Sequence, residues 1–566
     1  MATIMNGNVH HAESTCAHVK NGTDLNGTKL VKPLLNTVAQ SDACNNVKQY
    51  VLEAIRDKQE LYNMEQYAID YAHSIGLVAP MPDQPKETFS NILAVPPPIT
   101  LLPSPFPREL YEQAVDVQQQ LSELYFRIAS DHEFLMDSFK DVIKSDPFMA
   151  RFVQIAKMVH EEGVHQPLAV QLQRSDYMIH LEPSDGTLAL KQVEVNIGPL
   201  GGIGSVTGVS KLHRKTLDKV AIVREGRLAM LANAYAPVDR TRQNIARSFY
   251  QTWKLFGDPK AILLFLDTPD LMYFEQRQCI QFEVEKLGKQ DGLLVVVLSL
   301  PFVEASKRMS LDENGDFSLY MDGNKRVALV HITDGNAPDE FPTEREWTAR
   351  TMMERSTAIL SPNIRLQLSC TKKIQQVLAK PGMLERFIPN DSKLVAKLRS
   401  TFTGLWGLEE DDKATKEVIE AAIRSPRNYV LKSQMEAGLG NFFDEQVAEM
   451  LLKLTKQDRA AYILQQRINP LVVKNFMMRQ MKPAQMEDVV SELGIYASLI
   501  GNQSTGQILH NSVDGHTIRS KPSKVNQGGV VFGGGTIDSA LLFPAAEMLL
   551  IKSEKKKQNC PSNGRK

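Results

Sequence analysis

The chain has 566 residues, 43% hydrophobic and 23% charged, which fits a soluble globular protein of two or three lobes. A formal net charge of −1 supplies no field to hold nucleic acid or an anionic membrane. Five scattered cysteines form no CxxC pair, which argues against a disulfide framework or a zinc site.

Residues 1–45 are rich in Asn, Thr, His and Gly and read as a disordered tail. The N-terminus has no signal-peptide core, and no apolar run of about eighteen residues occurs, so a cytoplasmic location is expected. In the segment 46–258, a helix is predicted over Val47–Ala79, followed by an extended linker from Val95 to Pro107 containing six prolines. Leu110, Ala114, Val117, Leu121 and Leu124 fall on one face of a helix starting at Arg108. A second helix is predicted from Asp146 to His160, with Pro147 in its first turn. "YMIHLEPSDGTLALKQVEVNIG" predicts a β-hairpin turning at Asp185-Gly186.

Further on, "AILLFL", a helical "YFEQRQCIQFEVEKLG" and "GLLVVVLSL" make a βαβ unit in a parallel sheet. "FSLYMDGNKRVALVHI" adds a hairpin around Asp322-Gly323. Residues 259–370 therefore read as an α/β lobe inserted in a larger α+β chain. In 371–550, "RNYVLKSQMEAGLGNF", "AAYILQQRI" and "VVSELGIYASLI" read as strands with polar ends, and 551–566 as a polar tail.

No Walker A sequence, no GxGxxG after a strand and no GxSxG elbow is present. Instead, carboxylates and lysines gather at strand ends. Glu194 and Asn196 alternate in "VEVN" and share a face. Lys432, Glu436 and Asn441 follow one another in "LKSQMEAGLGN". Hard oxygen ligands of this kind suit magnesium together with phosphate oxygens, although each residue taken singly reads sooner as a solvated strand end. "GGVVFGGG" (528–535), with five glycines in eight residues, reads either as a closing lid or as a flexible linker. Upstream of it, Arg519 suits a carboxylate fork and Lys521 a phosphate.

Taken in order, "RSDYM", "KQVEVN", "CTKKIQQVLAKPGMLERFIP", "YVLKSQMEAGLGN", "YILQQRINP", "SELGI" and "RSKPSKVNQGGVV" closely resemble eukaryotic glutathione synthetase. The resemblance spans roughly residues 46 to 540 and implies the ATP-grasp fold of that family. It also implies a homodimeric ligase that joins γ-glutamylcysteine to glycine with ATP and Mg2+, acting on small molecules without nucleic acid or membrane. Catalytic roles fall to Arg519, Lys372 and Lys432. ATP contacts fall to Glu194, Lys372, Lys432, Asn441 and Phe443, and further to Gln465, Gln466, Glu492, Lys521 and Gln527. The same resemblance implies Glu194, Asn196 and Glu436 as metal ligands. Substrate contacts are Arg174, Gln276, Arg519, Val530 and Val531, and the glycines after Gln527 match the lid.

Departures from the family pattern cluster at the acyl-donor side. The loop "NIGPLGG" (196–202) is about two residues short and lacks a hydroxyl. Asp270 and Met272 replace a Glu-x-Asn pair, while Thr333 and Asn336 replace an arginine and a tyrosine. Losing that arginine removes the clamp for the donor's α-carboxylate. On the nucleotide side, Ala437-Gly438-Leu439 replaces three glycines, and Gln466 and Gln527 each replace an acid. Three readings result: glutathione synthetase itself, a ligase of the same fold with a changed acyl donor, or a weakly active binding protein.

Overall fold

The computed structural model describes residue 47 and residues 50–81, 93–225, 231–267, 280–434, 440–479, 482–526, 529–530 and 534–548. The expected tails, Asp270, Met272, Gln276, Glu436, Gln527 and Val531 lie outside the described residues, as do Ala437, Gly438, Leu439 and half of the glycine-rich loop.

Among the described residues, a 13-stranded mixed sheet carries most of the fold. Its centre is built from two long hairpins. The first joins β1 (Leu168–Leu181) to β2 (Leu188–Ile197), as the alternation and the Asp-Gly turn predict. A separate four-stranded sheet contains β3 (Tyr429–Ser433) and β4 (Tyr462–Gln466). The second hairpin of the large sheet joins β5 (Gln485–Asn502) to β6 (Gln507–Pro522). Antiparallel pairing of β5 with β1 places the motifs "RSDYM" and "SELGI" side by side.

The predicted βαβ unit is present, with Ile262–Leu266 and Val297–Leu300 as parallel neighbours and a helix at Phe282–Gln290. Its strands do not form a sheet of their own. Lys325–Ile332 and Ile359–Ser361 extend it in parallel until Leu360 pairs with Ala169 of β1.

Two local expectations are corrected. The helix over Val47–Ala79 is two helices, Tyr50–Ala54 and Lys58–Ser74, because the Asp57 carboxylate accepts the Glu60 N–H and starts a new helix. The proline-rich segment is not a linker: Leu101, Leu102 and Phe106 are fully buried. Ile99–Thr100 pairs with strands on both sides, and Ser104–Pro107 runs parallel to Ala540–Phe543. Prolines 103, 105 and 107 alternate with residues whose N–H groups remain available, so one edge of the segment can still bond.

His331 lies fully buried beside Phe249 and Phe265, with Nδ1 3.3 Å from the Ser361 carbonyl oxygen. Burial pushes its imidazole down to about 4 from the ordinary 6.5. A depressed folded pKa means that the unfolded chain takes up the proton first. This residue's contribution is therefore complete above pH 6.5 and is lost as pH falls through 4. His331→Phe should flatten the pH dependence of the unfolding free energy between pH 7 and 4 by about 3 kcal/mol. Parallel urea titrations of the two proteins across that range measure it, and identical slopes would refute it.

Candidate functional site

The site forms where the four-stranded sheet meets β1 and β2. The pairing of Asp176 with Glu194 and of Tyr177 with Gln192 leaves Val193 as the extra residue of a β-bulge. Its carbonyl oxygen, free of the ladder, accepts Lys432 Nζ at 3.1 Å and Gln465 Nε2 at 3.4 Å. The bulge thus ties β3 and β4 to the large sheet and sets a lysine beside Glu194.

Lys372, the first residue of α1 (Lys372–Leu378), also reaches this carboxylate, with Nζ 4.0 Å from Glu194 Oε2. Lys372 and Lys432 are only 2% and 5% exposed, so water screens neither charge well. Burial alone would raise the Glu194 carboxyl. Lys372 and Lys432, joined by Arg519 and Arg174, outweigh that effect and hold it at about 2. Burial pushes the Lys432 ammonium below its ordinary value, an effect that Glu194 opposes.

A second charged group lies one strand over. Arg174 grips Asp176 with both arms of its fork, Nε to Oδ1 at 2.7 Å and Nη2 to Oδ2 at 2.8 Å. Arg519 Nη2 donates to Asp176 Oδ2 at 3.0 Å and also to Glu492, its cross-strand partner. Asn196 Nδ2 donates to the same Oδ2 at 2.8 Å. Asp176 is fully buried, and burial raises its carboxyl above the ordinary value, a rise that the Arg174 and Arg519 guanidiniums oppose. Its two oxygens accept from four donors.

The glycines here have steric causes. A Cβ on Gly494 would sit 2.8 Å from both Arg174 Cδ and Asp176 Oδ1, and 2.9 Å from Thr517 Cγ2. Gly494→Ala should therefore cost about 2 kcal/mol in stability and lower turnover further, by displacing the Arg174–Asp176 pair. Urea unfolding and steady-state rates test this; a variant with native stability and rate would show that the strands yield freely. Gly202 has φ +95°, and a Cβ there would lie 2.6 Å from the Tyr496 hydroxyl. That hydroxyl and Arg174 Nη1 both donate to the Gly201 carbonyl, at 2.6 and 3.2 Å. The short 196–202 loop is thereby fixed against the arginine.

The remaining candidates border this centre. Lys521 Nζ donates to the Asn526 carbonyl at 2.5 Å, and burial lowers its ammonium. Phe443 pairs with Val430 of β3, next to Asn441, whose buried Oδ1 has no partner among the described residues. Gln465 spends its Nε2 on backbone oxygens and on Thr403 Oγ1, whereas Gln466 is exposed and accepts the Gly404 N–H. Val530 packs against the main core.

Sequence reasoning missed Asp176. Its signal was the i, i+2 spacing from Arg174 inside "RSDYM", which puts both side chains on one face of a strand.

At the donor side, Thr333 is buried, and its hydroxyl donates to the Leu266 carbonyl at 2.6 Å and lies 2.9 Å from Asp267 Oδ1. Asn336 Oδ1 accepts from Gln367 Nε2 at 2.9 Å.

Comparison with known proteins agrees with this architecture. A family model described as "Eukaryotic glutathione synthase, ATP binding domain" matches residues 58–542. Glutathione synthetase of Homo sapiens is 33% identical over 489 residues, covering 86% of this chain and 98% of that protein. The chloroplastic glutathione synthetase of Solanum lycopersicum is 34% identical, covering 80% of this chain and 79% of its own. Among solved structures, a glutathione synthetase like-effector (GSS30) from Globodera pallida in apoform superposes with a TM-score of 0.68 at 30% identity. It covers 87% of this chain and 99% of its own.

Proposed function

Because this chain belongs to the eukaryotic glutathione synthetase family and is an ATP-dependent ligase of that type, we propose that it joins an acyl donor's carboxylate to an amino acid. The observation that carries the reading is the Glu194 carboxylate, held at about 2 between two buried lysines at the junction of two sheets. Such a place can gather the phosphates of ATP and neutralise charge as a phosphoryl group moves.

The donor set fits Mg2+. Glu194 is ionised, and Asn196, with its Nδ2 committed to Asp176, is left its Oδ1 as an acceptor. Glu194 and Asn196 would hold the ion, with Glu436 from outside the described residues; bound, it screens the phosphate oxygens as a Lewis acid. Lys372 and Lys432 orient the phosphates. The donor carboxylate attacks the γ-phosphorus and expels ADP; the acceptor's amine then attacks the carbonyl of the acyl phosphate, and inorganic phosphate leaves as the amine loses a proton. Arg174 and Arg519 supply guanidinium N–H groups to the acceptor's carboxylate, glycine being the first candidate. Asn441, Phe443, Gln465, Gln466, Glu492 and Lys521 border the nucleotide. We take the working form to be a homodimer, as in the family, and its place to be the cytoplasm.

Donor choice has shifted, since the Thr333 hydroxyl is already engaged within the chain where the family places an arginine. Purified protein with ATP, Mg2+ and panels of donors and amines, scored by ADP release and product mass, tests the proposal. Stoichiometric ADP and condensed product are expected. ATP hydrolysis without condensation under every pairing would overturn it.

A further inference from the structure

Resting on that reading of the site, we propose that Asp176 is a positioning residue that sets the acceptor-binding arginines and the metal-side asparagine through a single carboxylate. Arg174 and Arg519 carry like charges and would part if nothing lay between them. Asp176 Oδ1 takes Arg174 Nε, while Oδ2 takes Arg174 Nη2, Arg519 Nη2 and Asn196 Nδ2, at distances from 2.7 to 3.0 Å. Gly494, its partner on the neighbouring strand, leaves room for this carboxylate, since a Cβ there would lie 2.8 Å from Oδ1.

The asparagine carries the less obvious half of the argument. Its amide can present either an oxygen or an NH2 group in a given direction, and its partners decide which. By accepting Nδ2, Asp176 commits the NH2 to its own side, and the amide oxygen then remains the acceptor elsewhere. A neutral amide at position 176 would bring NH2 donors of its own against two guanidiniums and Asn196, so some of these contacts must break. One carboxylate thereby links acceptor recognition to cation recognition. A residue that merely filled space or balanced charge would affect the amount of folded protein, not these two properties together.

The test uses Asp176→Asn and the exchange variant Asp176→Asn/Asn196→Asp, which retains the net charge and restores a carboxylate–amide pair in reversed order. Calorimetry of the non-hydrolysable ATP analogue AMP-PNP is run against free Mg2+, with no donor present. Turnover is then measured at varied glycine with saturating ATP and either γ-glutamylcysteine or 4-aminobutanoyl-cysteine. For Asp176→Asn, half-saturating Mg2+ should rise at least five-fold and the glycine KM at least ten-fold, with AMP-PNP affinity at saturating Mg2+ within two-fold. The exchange variant should recover the Mg2+ dependence but not the glycine KM. Folded Asp176→Asn with both parameters unchanged, or changed only in kcat, overturns the proposal. So does an exchange variant whose Mg2+ dependence is no better than that of Asp176→Asn. Should Asp176→Asn not fold, the exchange variant decides alone: a raised glycine KM with wild-type Mg2+ dependence supports the role, and a wild-type glycine KM overturns it. If the wild type uses no glycine at all, the acceptor assignment falls, while the AMP-PNP arm still decides whether Asp176 sets the cation site.

Discussion

Replacing Glu194 by glutamine should reduce ligation on the order of a thousand-fold while leaving the fold intact. Glutamine has the same shape, so the loss measures charge alone. The wild-type carboxyl sits at about 2 and is an anion at any pH at which the enzyme would be assayed. Removing it leaves the ammonium groups of Lys372 and Lys432 in a poorly hydrated place without the anion that offsets their charge. It also removes one of two described oxygen ligands proposed for the cation, so nucleotide binding should lose most of its Mg2+ dependence. ADP release and AMP-PNP calorimetry at two Mg2+ concentrations give the answer. A Glu194→Gln variant within ten-fold of wild type on both measures would remove this residue from the phosphate-transfer centre.

The parts of this site that local chemistry marks were legible in the sequence. Alternation in "VEVN" placed Glu194 and Asn196 on one face, and the hairpin that carries them turns at the predicted Asp185-Gly186. The strands holding Lys432 and Glu492 are where their polar ends suggested. What could not be read depends on partners distant in sequence. The bulge at Val193 exists because of registry with Tyr177, and its carbonyl matters only because Lys432 and Gln465 come from another sheet. Asp176 was visible as a letter in a motif, but its four donors come from three strands. The segment from Val95 to Pro107 misled for a similar reason. Proline density argues for a solvated linker unless a neighbouring strand can use the remaining N–H groups, and here Ala540–Phe543 does, from more than four hundred residues away.

The donor should be chosen against the α-carboxylate that γ-glutamylcysteine carries. The resemblance to glutathione synthetase implies an arginine and a tyrosine where this chain has Thr333 and Asn336. The threonine hydroxyl has one proton, and the Leu266 carbonyl at 2.6 Å and Asp267 Oδ1 at 2.9 Å already compete for it. Asn336 uses its oxygen on Gln367, which leaves a neutral NH2 with no partner among the described residues. That group can donate to a hydroxyl or an amide, but it carries no charge to balance a carboxylate. Each lost charge-assisted contact is worth roughly 1.5–3 kcal/mol, or at least ten-fold in affinity. Measured side by side with ATP, Mg2+ and glycine, 4-aminobutanoyl-cysteine, which is γ-glutamylcysteine without its α-carboxylate, should show a kcat/KM at least ten-fold higher. The difference should lie mainly in KM, since the missing contact is made in the ground state and the transition state alike. A preference for γ-glutamylcysteine would mean that another cation reaches the carboxylate, and the enzyme would then be an ordinary glutathione synthetase despite its altered pocket.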